Sequence, residues 1–349
     1  MIDRQRWVGD GFAELDDRID YFIKFAPTQN FGDYLPELFC KELLAYPRID
    51  ADMFRLVGSV IDERWVRRDL SRTNGHVAGL IAYWCCGARS AAGLTQQTRA
   101  HCRFFGIRGP LSRDALDLPA DTVMGDPGLL APLLHRPTPH PRTSGKTICI
   151  PHIQDGRSRD ALLALSGADC LVHPEIAASE AALRDLLDQI ASADFVLSAS
   201  LHGAIVAAAY GRPFCFWDNG HLDVPFKWSD FARSIGIDAV FAANMTDARS
   251  IWAAFAPHIV IPPLAPILEV APFTPQPHAL LRALAHDSHD ATLAAAADTV
   301  AIAAARRRSE TCADQHGSSD LRRARKTLSY DLQRRVGVGL RSAKKRIFR

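Results

Sequence analysis

DFVLSASLHGAIVAAAYGRPFCFWD, residues 194–218, decides the fold. DFVLSAS reads as a strand, LHGAIVAAAYG as a helix of small residues, and RPFCFWD as a second strand after the Gly211-Arg212-Pro213 break. Strand, helix and strand in succession form the unit that lays two parallel strands side by side.

The same alternation continues upstream. TICIPHI, ADCLVHP and the helical stretches RDALLALSG and SEAALRDLLDQIASA fill 147–193, the last helix with an acidic first turn that suits its dipole. Earlier, YFIKF (21–25), FRLVGSVI (54–61), VAGLIAYWCC (77–86), CRFFGIRGP (102–110) and TVMGDP (122–127) read as strands. The continuous apolar run of the third implies burial on both faces. DYLPELFCKELL (33–44) reads as a helix.

HRPTPHPRTSGK (135–146), rich in Pro and polar residues, separates the two series. The expected organisation is an N-terminal Rossmann-like domain over 1–140, a second over 141–275, and a helical, basic C-terminal extension over 276–349. Two such domains form a cleft, and open parallel sheets bind ligands beyond the carboxyl ends of their strands.

The composition of the 349-residue chain, 48% hydrophobic and 23% charged, excludes a fibre or wholesale disorder. Cysteines at 40, 85, 86, 102, 149, 170, 215 and 312 form no CxxC pair or zinc-like spacing and mostly sit in apolar runs, which predicts reduced, buried thiols in a cytoplasmic protein. The N-terminus has no apolar signal core, and no apolar run is long enough to span a bilayer. From Arg306 to Arg349 there are 14 Lys and Arg against 4 Asp and Glu, so the tail is strongly basic and the rest mildly acidic. Residues 321–349 space Leu321, Leu328, Leu332, Val336, Leu340 and Ile347 as an amphipathic helix with a basic face, a pattern suited to an anionic membrane surface and equally to a solvated or packed end. The acidic body argues against nucleic acid.

Several residues at expected strand ends can do chemistry. Ser200, His202 and Gly203 open the helix after the strand at 194–200. Exposed amides at a helix start favour an anion, a hydroxyl can donate to it, and an imidazole there can transfer a proton. By spacing alone His202 fits a helix cap as well. Asn30-Phe31-Gly32-Asp33 forms a first strand-to-helix turn, where Asp33 is either a cap or a proton acceptor. Arg108, held between Gly106 and Pro110, offers a fork for carboxylate or phosphate, or else a surface ion pair. Asp126 and His152 close two further strands, and Lys227 in PFKWSDF follows the last. No metal constellation and no glycine-rich nucleotide fingerprint is present.

Taken together and in order, NFGDYLPELF (30–39), LVGSVI (56–61), IRGPLSRDAL (107–116), GDPGLLAP (125–132), PHIQDG (151–156), SASLHGAIVAAAYGRPF (198–214) and PFKWSDF (225–231) resemble the polysaccharide pyruvyl transferase family over about 30–275. The resemblance implies two Rossmann-like domains in a GT-B-like arrangement. It also implies phosphoenolpyruvate as donor, no further cofactor, and a sugar diol of a glycan or lipid-linked oligosaccharide as acceptor, with a cyclic pyruvate ketal as product. Mapped residue by residue onto this chain, it makes His202 and Arg108 donor contacts. The reading of the residues adds Ser200, Gly203 and Lys227 as further donor contacts, His202 as the candidate acid that protonates the donor's methylene carbon, Asp33 or His152 as the candidate base for the attacking hydroxyl, and Asn30 and Asp126 as acceptor contacts. Many members carry Arg-Leu-His-Gly where this chain has Ser200-Leu201-His202-Gly203, which leaves Lys227, Arg212 or His152 to replace one anion contact. The Ser-Leu-His form resembles the branch acting on exopolysaccharides such as succinoglycan. Lipid-linked acceptors imply a cytoplasmic enzyme at the inner membrane face. The same layout suits a nucleotide-sugar glycosyltransferase, and the missing arginine suits a glycan-binding protein without activity.

Overall fold

The computed structural model describes residues 18–19, 27–72 and 79–312, with side chains to residue 304. The strand expected at 21–25, residues 77–78 of the third apolar run, and the amphipathic helix expected at 321–349 lie outside these residues. The strands are β1 (Thr28–Asn30), β2 (Leu44–Pro47), β3 (Met53–Arg55), β4 (Ser59–Ile61), β5 (Ile81–Trp84), β6 (Gly87–Ala88), β7 (Cys102–Phe105), β8 (Thr147–Ile150), β9 (Cys170–Leu171), β10 (Glu175–Ala177), β11 (Phe195–Ser198), β12 (Phe214–Trp217), β13 (Phe241–Ala242) and β14 (Phe273–Pro275).

The mixed α/β architecture holds two principal parallel sheets. One runs β3-β5-β7, and Ile19 extends it by a parallel bridge to Phe54. The other runs β13-β12-β11-β8-β9. Every residue of β8, β11 and β12 is buried, the outcome that unbroken apolar runs demand when helices cover both faces. From β8 the chain steps outward to β9, then crosses back to β11 on the other side of β8. The crossing makes the carboxyl ends of β8 and β11 a topological switch point, where open sheets hold ligands.

Local rules account for the helices between the strands. Side chains of Asp62, Thr95, Ser158, Ser179 and Asn244 each accept from the backbone at the start of their helix. The helix Arg159–Ser166 ends at Gly167, whose φ of +67° is cheap only for glycine.

Each sheet keeps a cluster of its own on one face, around Ile81 and Tyr83 in the first and around Leu197 and Trp217 in the second, and a larger cluster joins the two. This larger cluster takes in Phe39, Phe54 and Trp84 together with Ile148, Val196 and Ile205. Trp84 meets Phe39 edge to face and donates its indole N–H to the Ile267 carbonyl at 2.9 Å. The antiparallel pair β1–β10 attaches the N-terminal segment to the second sheet's side, in a register that sets Asn30 opposite Glu175. The pair β14–β2 returns the chain's later part to the N-terminal half. Helices Pro277–Ser288 and Ala291–Cys312 pack against each other, and Asp298 bonds Arg136 and Arg282.

Three elements differ from expectation. FRLVGSVI is not one strand: the chain breaks at Gly58, with φ of +103°, so β3 pairs with β5 and β4 pairs with β6. TVMGDP forms only a single parallel bridge, Ile107 to Met124, before Gly125 turns the chain at φ +151°. The helix expected at 33–44 begins at Phe31 and widens into a π-helical stretch, Phe39–Leu43, so Asp33 lies inside the first turn rather than at its cap.

The seven cysteines whose side chains are described are buried thiols. Burial pushes the thiols of Cys102 and Cys215 up to about 12 and that of Cys149 to about 11, which keeps them protonated and inert.

Candidate active site

The site forms where the switch point of the second sheet meets the turn after β1 and the loops of the first sheet. β11 ends at Ser198. Its hydroxyl donates to the Ser200 carbonyl at 2.7 Å and accepts from the Ser200 amide at 3.2 Å, which tightens the turn into the helix Leu201–Ala209. Ser200 occupies the N-cap, yet its side chain caps nothing, unlike the serines at 158 and 179. The amides at this helix start are therefore not satisfied by a side-chain cap, and the dipole's positive end favours an anion there.

Gly203 has a different use from the one its position suggested. A β-carbon there would stand 2.4 Å from Ser198 Oγ and 2.9 Å from Ile150 Cδ1, so the glycine lets the helix pack on β11 and β8.

His202 is 8% exposed. Its ring meets Phe31 edge to face at 6.4 Å and rests against Gly32. Nε2 lies 3.9 Å from Asp126 Oδ1, too far for a hydrogen bond, and has no partner. Burial drives the imidazole's pKa down to about 4, against the attraction of Asp33, and the charges of Lys227 and Arg108 push the same way. The imidazole is thus neutral at pH 7.

Two carboxylates flank it, Asp33 and Asp126, and a third, Asp223, bonds Lys227, whose charge also acts on the ring. Asp33 accepts from Asn30 Nδ2 at 3.1 Å. Its pKa is raised by burial, against the pull of His202 and Lys227. Asp126, 1% exposed, accepts from the Gly128 amide through Oδ1 at 2.8 Å and leaves Oδ2 unpartnered. Burial lifts it to about 6, opposed by Arg108. Asp223 bonds Lys227 and lies 3.6 Å from His152 Nε2. Burial works to raise Asp223, but the His152 contact and the Lys227 charge hold its carboxyl well below the usual range. Burial lowers the Lys227 ammonium, and Asp223 resists that shift.

Arg108 is neither an open fork nor a surface ion pair. It is 1% exposed, and Nε donates to the wholly buried Asp230 at 3.1 Å. Nη1 donates to Ser59 Oγ at 2.6 Å, and Nη2 reaches the Ala88 carbonyl at 3.5 Å. Asp230 also accepts from Ser112, from its amide at 2.8 Å and its hydroxyl at 2.6 Å. Gly87 makes room for the guanidinium, since a β-carbon there would stand 2.0 Å from Nη2.

The residues singled out in the sequence therefore gather around one centre. The charge of Arg108 acts on His202 and Lys227, both of which also interact with Asp33; Asp126 faces His202, Asn30 holds Asp33, and His152 joins through Asp223. Asp230, Ser59, Asp223 and Gly32 escaped notice. Asp230 sits inside PFKWSDF and Ser59 inside LVGSVI, so the motifs held them, but nothing in the string says that either meets Arg108. Among the described residues, no group of three His, Cys, Asp or Glu side chains is arranged to hold a metal ion.

Chemically, the centre offers two kinds of surface. Lys227, the field of Arg108 and the uncapped helix start suit an anion. Unpartnered Oδ2 of Asp126 and Oδ1 of Asn30 are hydrogen-bond acceptors, and unpartnered Nε2 of His202 accepts or donates according to its tautomer, so together they suit a ligand that carries hydroxyls.

Residues 89–221 match the family described as polysaccharide pyruvyl transferase. A stretch of 54 residues is 32% identical to the succinoglycan biosynthesis protein ExoV of Rhizobium meliloti (strain 1021), covering 16% of this chain and 17% of that protein. The match thus spans about a sixth of the curated relative's length. No solved structure matches.

Proposed function

We propose that this chain, a member of the polysaccharide pyruvyl transferase family, transfers the pyruvyl unit of phosphoenolpyruvate to a sugar of a bacterial polysaccharide or its lipid-linked precursor. A cyclic ketal forms and phosphate leaves. The observation that carries this reading is the pairing of a cationic, uncapped helix start with three buried polar atoms that lack partners, Asn30 Oδ1, Asp126 Oδ2 and His202 Nε2. The first suits a donor bearing carboxylate and phosphate, the second a diol.

In this scheme Lys227, Ser200 and the helix start bind the donor's anionic groups, and the buried Arg108 contributes its positive charge. Asn30 and Asp126 receive acceptor hydroxyls. The donor's negative charge raises the proton affinity of His202, which lets the imidazole carry a proton to the methylene carbon C3. One sugar oxygen bonds to C2 and gives its proton to Asp33 or His152. The second sugar oxygen then bonds to C2 as the C2–O bond to phosphate breaks. Of the two hydroxyl protons, one ends in the new methyl group and the other on phosphate. The donor supplies the transferred group itself, so the scheme calls on no cofactor.

We read 1–140 and 141–275 as acceptor-side and donor-side lobes of a GT-B-like pair, a reading that the two parallel sheets support. We also read the basic residues of 321–349 as a contact with anionic lipid at the cytoplasmic face, worth about 1 kcal/mol per residue near the surface. Among the described residues, no helix is long and apolar enough to cross a membrane.

The test is release of phosphate from phosphoenolpyruvate over a panel of glycans, beside release of nucleotide from nucleotide sugars. Glycan-dependent phosphate release is expected. Nucleotide release alone makes the chain a glycosyltransferase, and glycan binding without either leaves a binding protein.

A further inference from the structure

We infer that Asp223 is an internal substitute for the donor's anionic group: its carboxylate holds Lys227 and His152 and must leave when the donor arrives. This rests on the assignment of Lys227 to the donor.

The Lys227 side chain is 14% exposed and that of Asp223 is 43% exposed, so the carboxylate is the more accessible member of the pair. An anion that is to bond Lys227 competes with Asp223 for the ammonium. His152, whose Nε2 lies 3.6 Å from the same Asp223 oxygen that Lys227 bonds, stacks on His221 with ring centres 6.2 Å apart and planes at 19°. All of these contacts belong to one irregular loop, 218–224, between β12 and the helix Pro225–Ser234.

The loop is built to part in its second half. Its first half is tethered: Asn219 Nδ2 donates to Asp155 Oδ2 at 2.7 Å, and Arg157 binds both Asp155 and the Asn219 carbonyl. Gly220 follows at φ +82° with open space where a side chain would be. At the far end Val224 takes φ +42° and ψ +72°, a left-handed conformation that is costly for a β-branched residue. Between these two points, Asp223 bonds Lys227 and faces His152, while His221 stacks on His152. Loss of the Asp223 contacts to an incoming phosphate or carboxylate frees Gly220–Asp223 to move and lets Val224 relax. Donor affinity is then set by an exchange of anions rather than by simple addition to a vacant cation. Asp223 acts on the donor through Lys227, so it is a positioning residue.

The test uses the full chain and inorganic phosphate as probe, measured by calorimetry at neutral pH. Removing the competing carboxylate in Asp223→Asn should tighten phosphate binding about tenfold and lower the KM for phosphoenolpyruvate by a similar factor, with kcat changed less. Asp223 also supports the Lys227 charge, so the same comparison is made in a Lys227→Arg background, where the cation stays protonated. Lys227→Met should remove the gain. Equal or weaker phosphate binding when Asp223→Asn is added to Lys227→Arg overturns the inference. Should phosphoenolpyruvate fail as a substrate of the unaltered chain, the reaction scheme falls, while the phosphate comparison still decides the role of Asp223.

Discussion

A β-carbon on Gly32 would stand 2.0 Å from Nδ1 of His202. The imidazole lies flat on the backbone of the first helical turn, and no other residue type leaves room for it. Gly87 and Arg108 repeat the arrangement, also at 2.0 Å. Two of the site's charged or titratable groups are thus seated on bare backbone, one from each half of the N-terminal region.

Gly32→Ala should therefore displace His202 while leaving a helical φ that alanine accepts. We expect turnover to fall about 100-fold from a misplacement near 1 Å, and a stability loss of about 1–3 kcal/mol from overpacking. Turnover and urea melts on the same sample separate the two effects.

His202→Gln should reduce turnover by about 10²–10⁴-fold with the fold retained. Near-normal turnover in this variant removes the imidazole from the proton transfer. Stability should also change with pH. The folded pKa of about 4 lies below the ordinary 6.5, so the unfolded chain binds more protons between these values and the protein loses stability as pH falls through them. The glutamine variant should lack that loss, a difference of about 1–3 kcal/mol in denaturant titrations on the two sides of the window.

Asp126→Asn carries the opposite sign. A carboxyl raised from 3.8 to about 6 favours the fold most when protonated, and that benefit fades as pH rises through about 6. The variant keeps an oxygen for the Gly128 amide and cannot ionise. Its stability relative to the unaltered chain should rise by about 1–3 kcal/mol from the acidic to the neutral side, while activity falls if Asp126 receives an acceptor hydroxyl.

Asp230→Ala strands a buried guanidinium and both donors of Ser112. Breaking such a pair costs about 3–5 kcal/mol. Ser112→Ala, which removes one donor and leaves the ion pair, should cost about 1 kcal/mol. Equal losses would mean that the Arg108–Asp230 pair is not what holds this corner.

Ending the chain after residue 308 should abolish co-sedimentation with anionic liposomes and leave turnover on a soluble acceptor intact. Equal sedimentation of both forms removes the membrane contact.

The parallel sheets were legible because β8, β11 and β12 are buried on both faces and their apolar runs are unbroken. The break in FRLVGSVI was not, since Gly58 in a strand-like run signals a bulge as readily as a change of partner. His202, Asp33 and Lys227 stood out because each lies beside a strand end or opens a helix. Arg108 stood out for the same reason, but its burial depends on Asp230, 122 residues away, and no local pattern announces such a pair. Ser200 has a cap's identity and position, yet Ser198 takes over the turn, a choice made by tertiary geometry.

Because Asn30 is laced opposite Glu175 by main-chain bonds, and Phe31 donates its amide to the Pro174 carbonyl at 2.9 Å, the Asp33 carboxylate travels with the body that carries His202. A protease nick within residues 136–146 would cut the polypeptide between these groups without parting them. Two fragments produced that way should reassemble a working centre, and trimming residues 27–47 from the shorter one should leave it unable to do so.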